Sequence, residues 1–190
     1  ISGTGLLARC LFPEDWEFAA AATKEECRHG IHRGTVNGEV YLWVGNTSRD
    51  QYSGVFFGLG AAYDLIDNET FRSSIRSLVT KLLEFLLKHL WTVVMPGGAQ
   101  PECPGRSIST TFIGRPEQQL NFLQIGRRVN PERFAGEYKR FRTFFAAFTF
   151  SQLPLEALDT HGSYFKFNLA AINLYNLVRL EEARSRSLRH

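Results

Sequence analysis

A chain of 190 residues, 44% apolar and 22% charged, is long enough to bury a core and ordinary in composition for a globular protein. Its net charge of +3, from 22 basic and 19 acidic residues, is too mild to argue for a nucleic-acid partner. No stretch reaches the roughly 18 uninterrupted apolar residues of a membrane span, so membrane insertion is not expected either.

Residues 1–13 read as a loop or extended lead-in, broken by Gly3 and Gly5, and 14–27 hold a short helix. Asn37-Gly38 sits between two short runs and predicts a small β-hairpin near 34–44 with a type I′ turn. From residue 47 the period becomes helical. Tyr52, Phe56, Leu59, Tyr63 and Ile66 share one face, and Gly54, Gly58, Ala61 and Ala62 elsewhere on the helix would admit a close neighbour. Asp67 or Asn68 starts the next helix, which runs to about Trp91 with a stripe of Phe71, Ile75, Leu78, Leu82, Phe85, Leu86 and Leu90. These two helices would form an antiparallel hairpin. A long Pro- and Gly-rich loop follows, of the kind that is functional or mobile. Further helices are predicted from Pro116, over about 131–150 with Asn130 as cap, and from Ser163 to about Arg184, the last preceded by a loop over Gln152 to Gly162. The sum is an all-α chain of antiparallel helical hairpins with one small β-hairpin, read as a single helical domain over 1–190.

Three segments carry a resemblance: "GLLARCLF", "WVGNTSRDQYSGVFFGLGAAYDLIDNETFRSSIRSLVTKLLEFLLKH" and "HGSYFKFNLAAINLYNLVRLEE". They are similar to bacterial (α/α)-toroid proteins of the six-hairpin glycosidase-like type, many of them uncharacterised. In those a pattern like W-x-G-D-T-S-x-D-x-x-x-G-x-x-x-A opens a toroid helix, and Asn46 stands here where that pattern has Asp. The resemblance implies an α/α toroid with a site at the mouth of its helices and a carbohydrate ligand. The helices read here are too few for a complete ring, so the chain fits a fragment or a reduced version.

The candidate site begins at Thr47-Ser48-Arg49-Asp50. Thr47 and Asp50 have capping-box spacing, and an acidic residue suits a first helical turn. The functional reading makes Asp50 a catalytic carboxylate, with Arg49 setting its charge and Tyr52 and Trp43 contacting sugar. Glycoside hydrolysis would need a second carboxylate roughly 5–10 Å away. Arg9, Glu14, Asp15 and Trp16 could line a carbohydrate cleft or be solvent-facing residues at a helix start.

Cys27, His29 and His32 lack the matching second pair of a structural zinc site, so no metal is expected, and no cofactor motif is present. Asp159, His161 and Tyr164 suggest no more than a chance triad, without a G-x-S-x-G elbow. The basic residues Arg184, Arg186, Arg189 and His190 read as a fraying tail. Among Cys10, Cys27 and Cys103 one bridge is possible, and three thiols are equally so. The chain begins at Ile1 without a signal peptide, leaving a secreted or periplasmic setting as an expectation only. Three functions compete: a glycoside hydrolase-like enzyme, a non-catalytic binding or scaffolding module, and an apolar pocket between Phe-rich helices. Oligomeric state is left open.

Overall fold

The structure, a computed structural model, describes residues 3–149, 158 and 164–187. The expectation of an all-α toroid of helical hairpins is corrected. The fold is mixed α/β, with five strands in two small sheets and six α-helices among the described residues. The chain divides into two compact units. Unit 1 is Ile1–Tyr52 with Glu84–Thr111, and unit 2 is Ser53–Leu83 with Phe112–His190.

Unit 1 is organised by its sheets, which is why an all-helical reading fails. Strand β1 (Cys10–Pro13) lies in the segment read as lead-in, followed by α1 (Ala19–Glu26), a 3-10 turn (Cys27–His29), β2 (Ile31–Val36) and β3 (Glu39–Val44). The strand order is β1-β3-β2, antiparallel throughout. The expected turn between β2 and β3 is present: Asn37 and Gly38 both take positive φ, 53° and 87°, as a type I′ turn requires. Pro13 closes β1 at the edge of the sheet, where its missing N–H costs no ladder bond. Phe12, Ala19, Ile31, Leu42, Val44 and Cys103 form the buried core, with Ala22 and Cys27 packed against it.

The first turn of α2 (Arg49–Leu65) and the last of α3 (Glu69–Lys88) also belong to unit 1. They are joined there by β4 (Thr92–Val94) and β5 (Ile108–Thr111), an antiparallel pair of which β4 directly precedes, and β5 lies within, the stretch read as loop. That loop folds back on the three-stranded sheet. Ile31 N–H donates to the Cys103 carbonyl at 3.0 Å, and Gln100 N–H to the Ile31 carbonyl at 2.8 Å.

Unit 2 is helical. Its α4 (Pro116–Val129) packs against α5 (Pro131–Thr149) and α6 (Tyr164–Ser187). Phe122 of α4 stacks on Phe56 at 4.2 Å and meets Phe112 edge-on at 5.2 Å. The glycine that allows α2 to approach α4 is Gly60, where an added Cβ would lie 3.3 Å from Ile125 Cγ1. Gly54 and Gly58, expected to do this, face open space. On α3 the buried stripe is Ile75, Val79, Leu82, Leu83, Phe85 and Leu86, while Phe71, Leu78 and Leu90 are exposed. Asn68 caps α3 as expected, accepting Phe71 N–H at 2.9 Å. Asn130 instead sends its side chain to Thr80. The most polar interior is also here: Asn121 donates to Asn173 at 2.6 Å and accepts from Asn176 at 2.7 Å, and all three are buried. Asp159, His161, Arg189, His190 and, but for Leu158, the expected loop over Gln152 to Gly162 lie outside the described residues, and Tyr164 opens α6 at 79% exposure.

Candidate functional site

The helix start at residue 48 is capped one position later than its sequence suggests. Gln51 Oε1 accepts from Ser48 N–H at 3.0 Å and from Ser48 Oγ–H at 3.1 Å, and Tyr52 N–H closes the first helical bond to the Ser48 carbonyl at 3.2 Å. Gln51 therefore supplies the side-chain half of a capping box, satisfying the Ser48 N–H. Thr47 is drawn into the interior, where its hydroxyl donates to the Leu7 carbonyl at 2.5 Å and its carbonyl accepts from Ser109 Oγ at 2.6 Å. This frees Asp50 from the capping duty expected of it.

Asp50 lines a pocket of about 460 Å³ together with Arg9, Arg28, His29, Asn46, Ser48, Arg49, Arg106, Ser109 and Thr110. All belong to unit 1, and the volume lies in the range of small-molecule sites. Four arginines face one carboxylate in this lining, and the positive end of α2 opens onto it. The walls come from separate parts of the chain. Arg9 precedes β1, Arg28 and His29 sit on the 3-10 turn, residues 46–50 lead into α2, and Arg106, Ser109 and Thr110 lie before and on β5.

Several donors are already committed. Arg9 Nε lies 3.4 Å from Glu26 Oε2, and its Nη1 donates to the Asn46 carbonyl at 3.3 Å and to Gln51 Oε1 at 3.5 Å. Arg28 Nε donates to His29 Nε2 at 3.1 Å. Burial first, then the positive charge of Arg9, lowers the His29 pKa, against the opposing pull of Glu26. A ring that accepts at Nε2 and resists protonation is neutral at pH 7, so its 3.9 Å approach to Glu26 is not an ion pair there. Asn46 is buried at 9% exposure with φ 50°, and its Oδ1 has no hydrogen-bond partner among the described residues.

The sequence-predicted site residues separate into two groups. Arg9, Arg49 and Asp50 meet at this pocket. Trp43 and Tyr52 do not offer sugar platforms, because both rings are interior. Trp43 stacks on His32 at 4.0 Å, and fully buried Tyr52 accepts Leu7 N–H through its hydroxyl. Burial pushes the Tyr52 pKa up to about 12. Trp16 is 44% exposed beside Phe12 and Phe18 and is absent from the pocket wall. Glu14 and Asp15 line a different concavity with Pro13, Glu39 and Val40, where Glu14 pairs with Arg33 at 2.6 Å.

Arg28, Arg106, Ser109 and Thr110 escaped sequence reasoning. The one signal that could have joined them is the cysteine pair: Cys27 and Cys103 form a disulfide, leaving Cys10 as the free thiol, its pKa raised by burial and by Glu26. No group of three or more His, Cys, Asp or Glu that could hold a metal ion occurs among the described residues, and no helix among them is long and apolar enough to cross a membrane. No protein-family model, curated protein or solved structure matches this chain.

Proposed function

We propose that unit 1 is a binding module for a small anionic, hydroxyl-bearing ligand of the sugar-acid or sugar-phosphate class. The observation that carries this reading is the pocket wall: four arginines and one carboxylate at a helix N-terminus, with the Ser48 and Ser109 hydroxyls beside them. The arginines call for a negative charge. The hydroxyl requirement follows from the acceptors. Ser48 spends its O–H proton on Gln51 and Ser109 on Thr47, so in both cases the oxygen can only accept from a ligand. The Asp50 carboxylate is an acceptor too. A bare anion would satisfy the arginines and leave these oxygens facing it unpaired. An anion on a polyol satisfies both sets.

Binding without catalysis is favoured over glycoside hydrolysis because Asp50 is the sole carboxylate in the pocket wall among the described residues, where hydrolysis uses two. Calorimetric titration with glucuronate, glucose 6-phosphate, glucose and sulfate tests the proposal. The two charged sugars should bind more tightly than sulfate, and glucose should not bind measurably. Equal binding of glucose and glucuronate would sink it.

A further inference from the structure

Arg28 and Arg106, the most exposed cations of the pocket, stand on chain segments far apart in sequence and tied together next to them. Cys27 immediately precedes Arg28, and Cys103 lies three residues before Arg106. Their disulfide spans 76 residues of sequence with Cα atoms 4.7 Å apart. Gly30 and Gly105 touch backbone to backbone beside it. A Cβ on Gly105 would lie 2.7 Å from Gly30 Cα and from the His29 carbonyl oxygen. Arg106 has no ion-pair or hydrogen-bond partner among the described residues that would hold it in place by its own side chain.

We propose that the Cys27–Cys103 disulfide is a redox clamp that sets the spacing of Arg28 and Arg106 and so controls affinity for the anion. The inference rests on the anion-binding reading of the pocket. Cys27 is half-buried and Cys103 is buried, so a reductant reaches the Cys27 sulfur first. The thiolate of a dithiol attacks Cys27 Sγ, breaking the S–S bond and releasing Cys103 as a thiolate that takes up a proton. The reagent's second thiolate then displaces Cys27, closing the reagent's own disulfide. Two electrons pass to the protein, and each cysteine ends as a thiol. The segments do not part altogether. The backbone bonds Ile31 to Cys103, Gln100 to Ile31 and Gly45 to Gly30 remain, so the residues after Cys103 loosen while the sheet persists.

The test measures sulfate affinity by calorimetry for wild type and Arg106→Ala, each oxidised and after dithiothreitol, with far-UV circular dichroism on every sample. Amide hydrogen exchange over residues 105–107 is followed alongside. Reduction should weaken sulfate binding by about tenfold, the worth of one charge-assisted contact. Arg106→Ala should weaken the oxidised protein comparably and change the reduced protein little. Exchange at 105–107 should quicken by about tenfold on reduction, with Val93 unchanged. Equal affinity in both redox states, or an Arg106→Ala effect that survives reduction undiminished, overturns the clamp. Loss of the folded signal on reduction overturns it too, because the bridge is then a condition of folding. If the oxidised protein binds neither sulfate nor glucuronate, the anion reading fails, and the exchange data still decide whether the bridge clamps residues 105–107.

Discussion

Replacing Asp50 with Asn separates the two roles the residue could have. A sphere of 460 Å³ has a radius of about 5 Å, which sets the distance from a wall carboxylate to a centred anion. In a water-filled pocket the repulsion between unit charges at that distance is about 0.8 kcal/mol. Asp50→Asn should therefore tighten a monovalent anion such as formate about fourfold and divalent sulfate about fifteenfold at low ionic strength. Removing a carboxylate from the first turn of α2 should lower stability by about 0.5 kcal/mol, a fall in Tm of about 1–2 °C. Glucuronate should gain less than formate, because the substituted amide is a poorer acceptor for ligand hydroxyls than the carboxylate. Paired titrations of formate, sulfate and glucuronate with both proteins check this. If the variant binds sulfate no better than wild type, electrostatic control by Asp50 is refuted. If it loses glucuronate and formate together, Asp50 holds the ligand in some other way.

Sulfate does not titrate near neutrality, so the pH dependence of its binding reports on the protein. A bound anion favours the His29 imidazolium, which the free pocket disfavours, so affinity should rise as pH falls from about 7.5 through 6, and His29→Gln should flatten the profile. Stability should move oppositely: the depressed pKa values of His29 and of buried His32 favour the neutral folded rings, so stability is full above about pH 6.5 and falls as the pH drops below it, as melts at pH 7.5 and 5.5 would show. Asn121→Ala leaves Asn173 Oδ1 and Asn176 Nδ2 without their buried partner and should cost unit 2 about 3 kcal/mol in urea unfolding while leaving sulfate binding intact. Gly105→Ala forces a Cβ into backbone at φ 63° and should destabilise unit 1 by about 2 kcal/mol and weaken sulfate binding, both read on one sample by melting with and without ligand.

The helices were legible because their period is local. The α2, α3, α4 and α6 segments lie where their apolar spacing or capping residues put them, and the Asn37-Gly38 turn announced β2 and β3. Strands β1, β4 and β5 were not legible, because three or four residues carry no period and their partners are remote: Cys10 pairs with Val44, and Thr92 with Thr111. The capping register slipped by one for a similar reason. Thr47 is as good a local cap as Ser48, and only the distant Leu7 carbonyl draws it away. Tyr52 and Trp43 read as open aromatics because one-dimensional spacing cannot show that the segments around Leu7 and His32 cover them. A net charge of +3 hid the site as well, since it averages over residues that the fold sorts into a basic pocket and a separate acidic concavity.

Asn46 draws these strands together. Its φ of 50° is one that Asn and Asp both tolerate, so backbone geometry does not choose between them; charge does. An Asp here would put a second carboxylate in the pocket wall with that of Asp50, and hydrolysis of a glycoside uses two. It would also draw on the arginines for itself, beginning with Arg9, whose Nη1 already reaches the residue's carbonyl oxygen. The neutral amide makes no such claim on the arginines, and under the binding reading proposed for unit 1 their charge is left for an incoming anion.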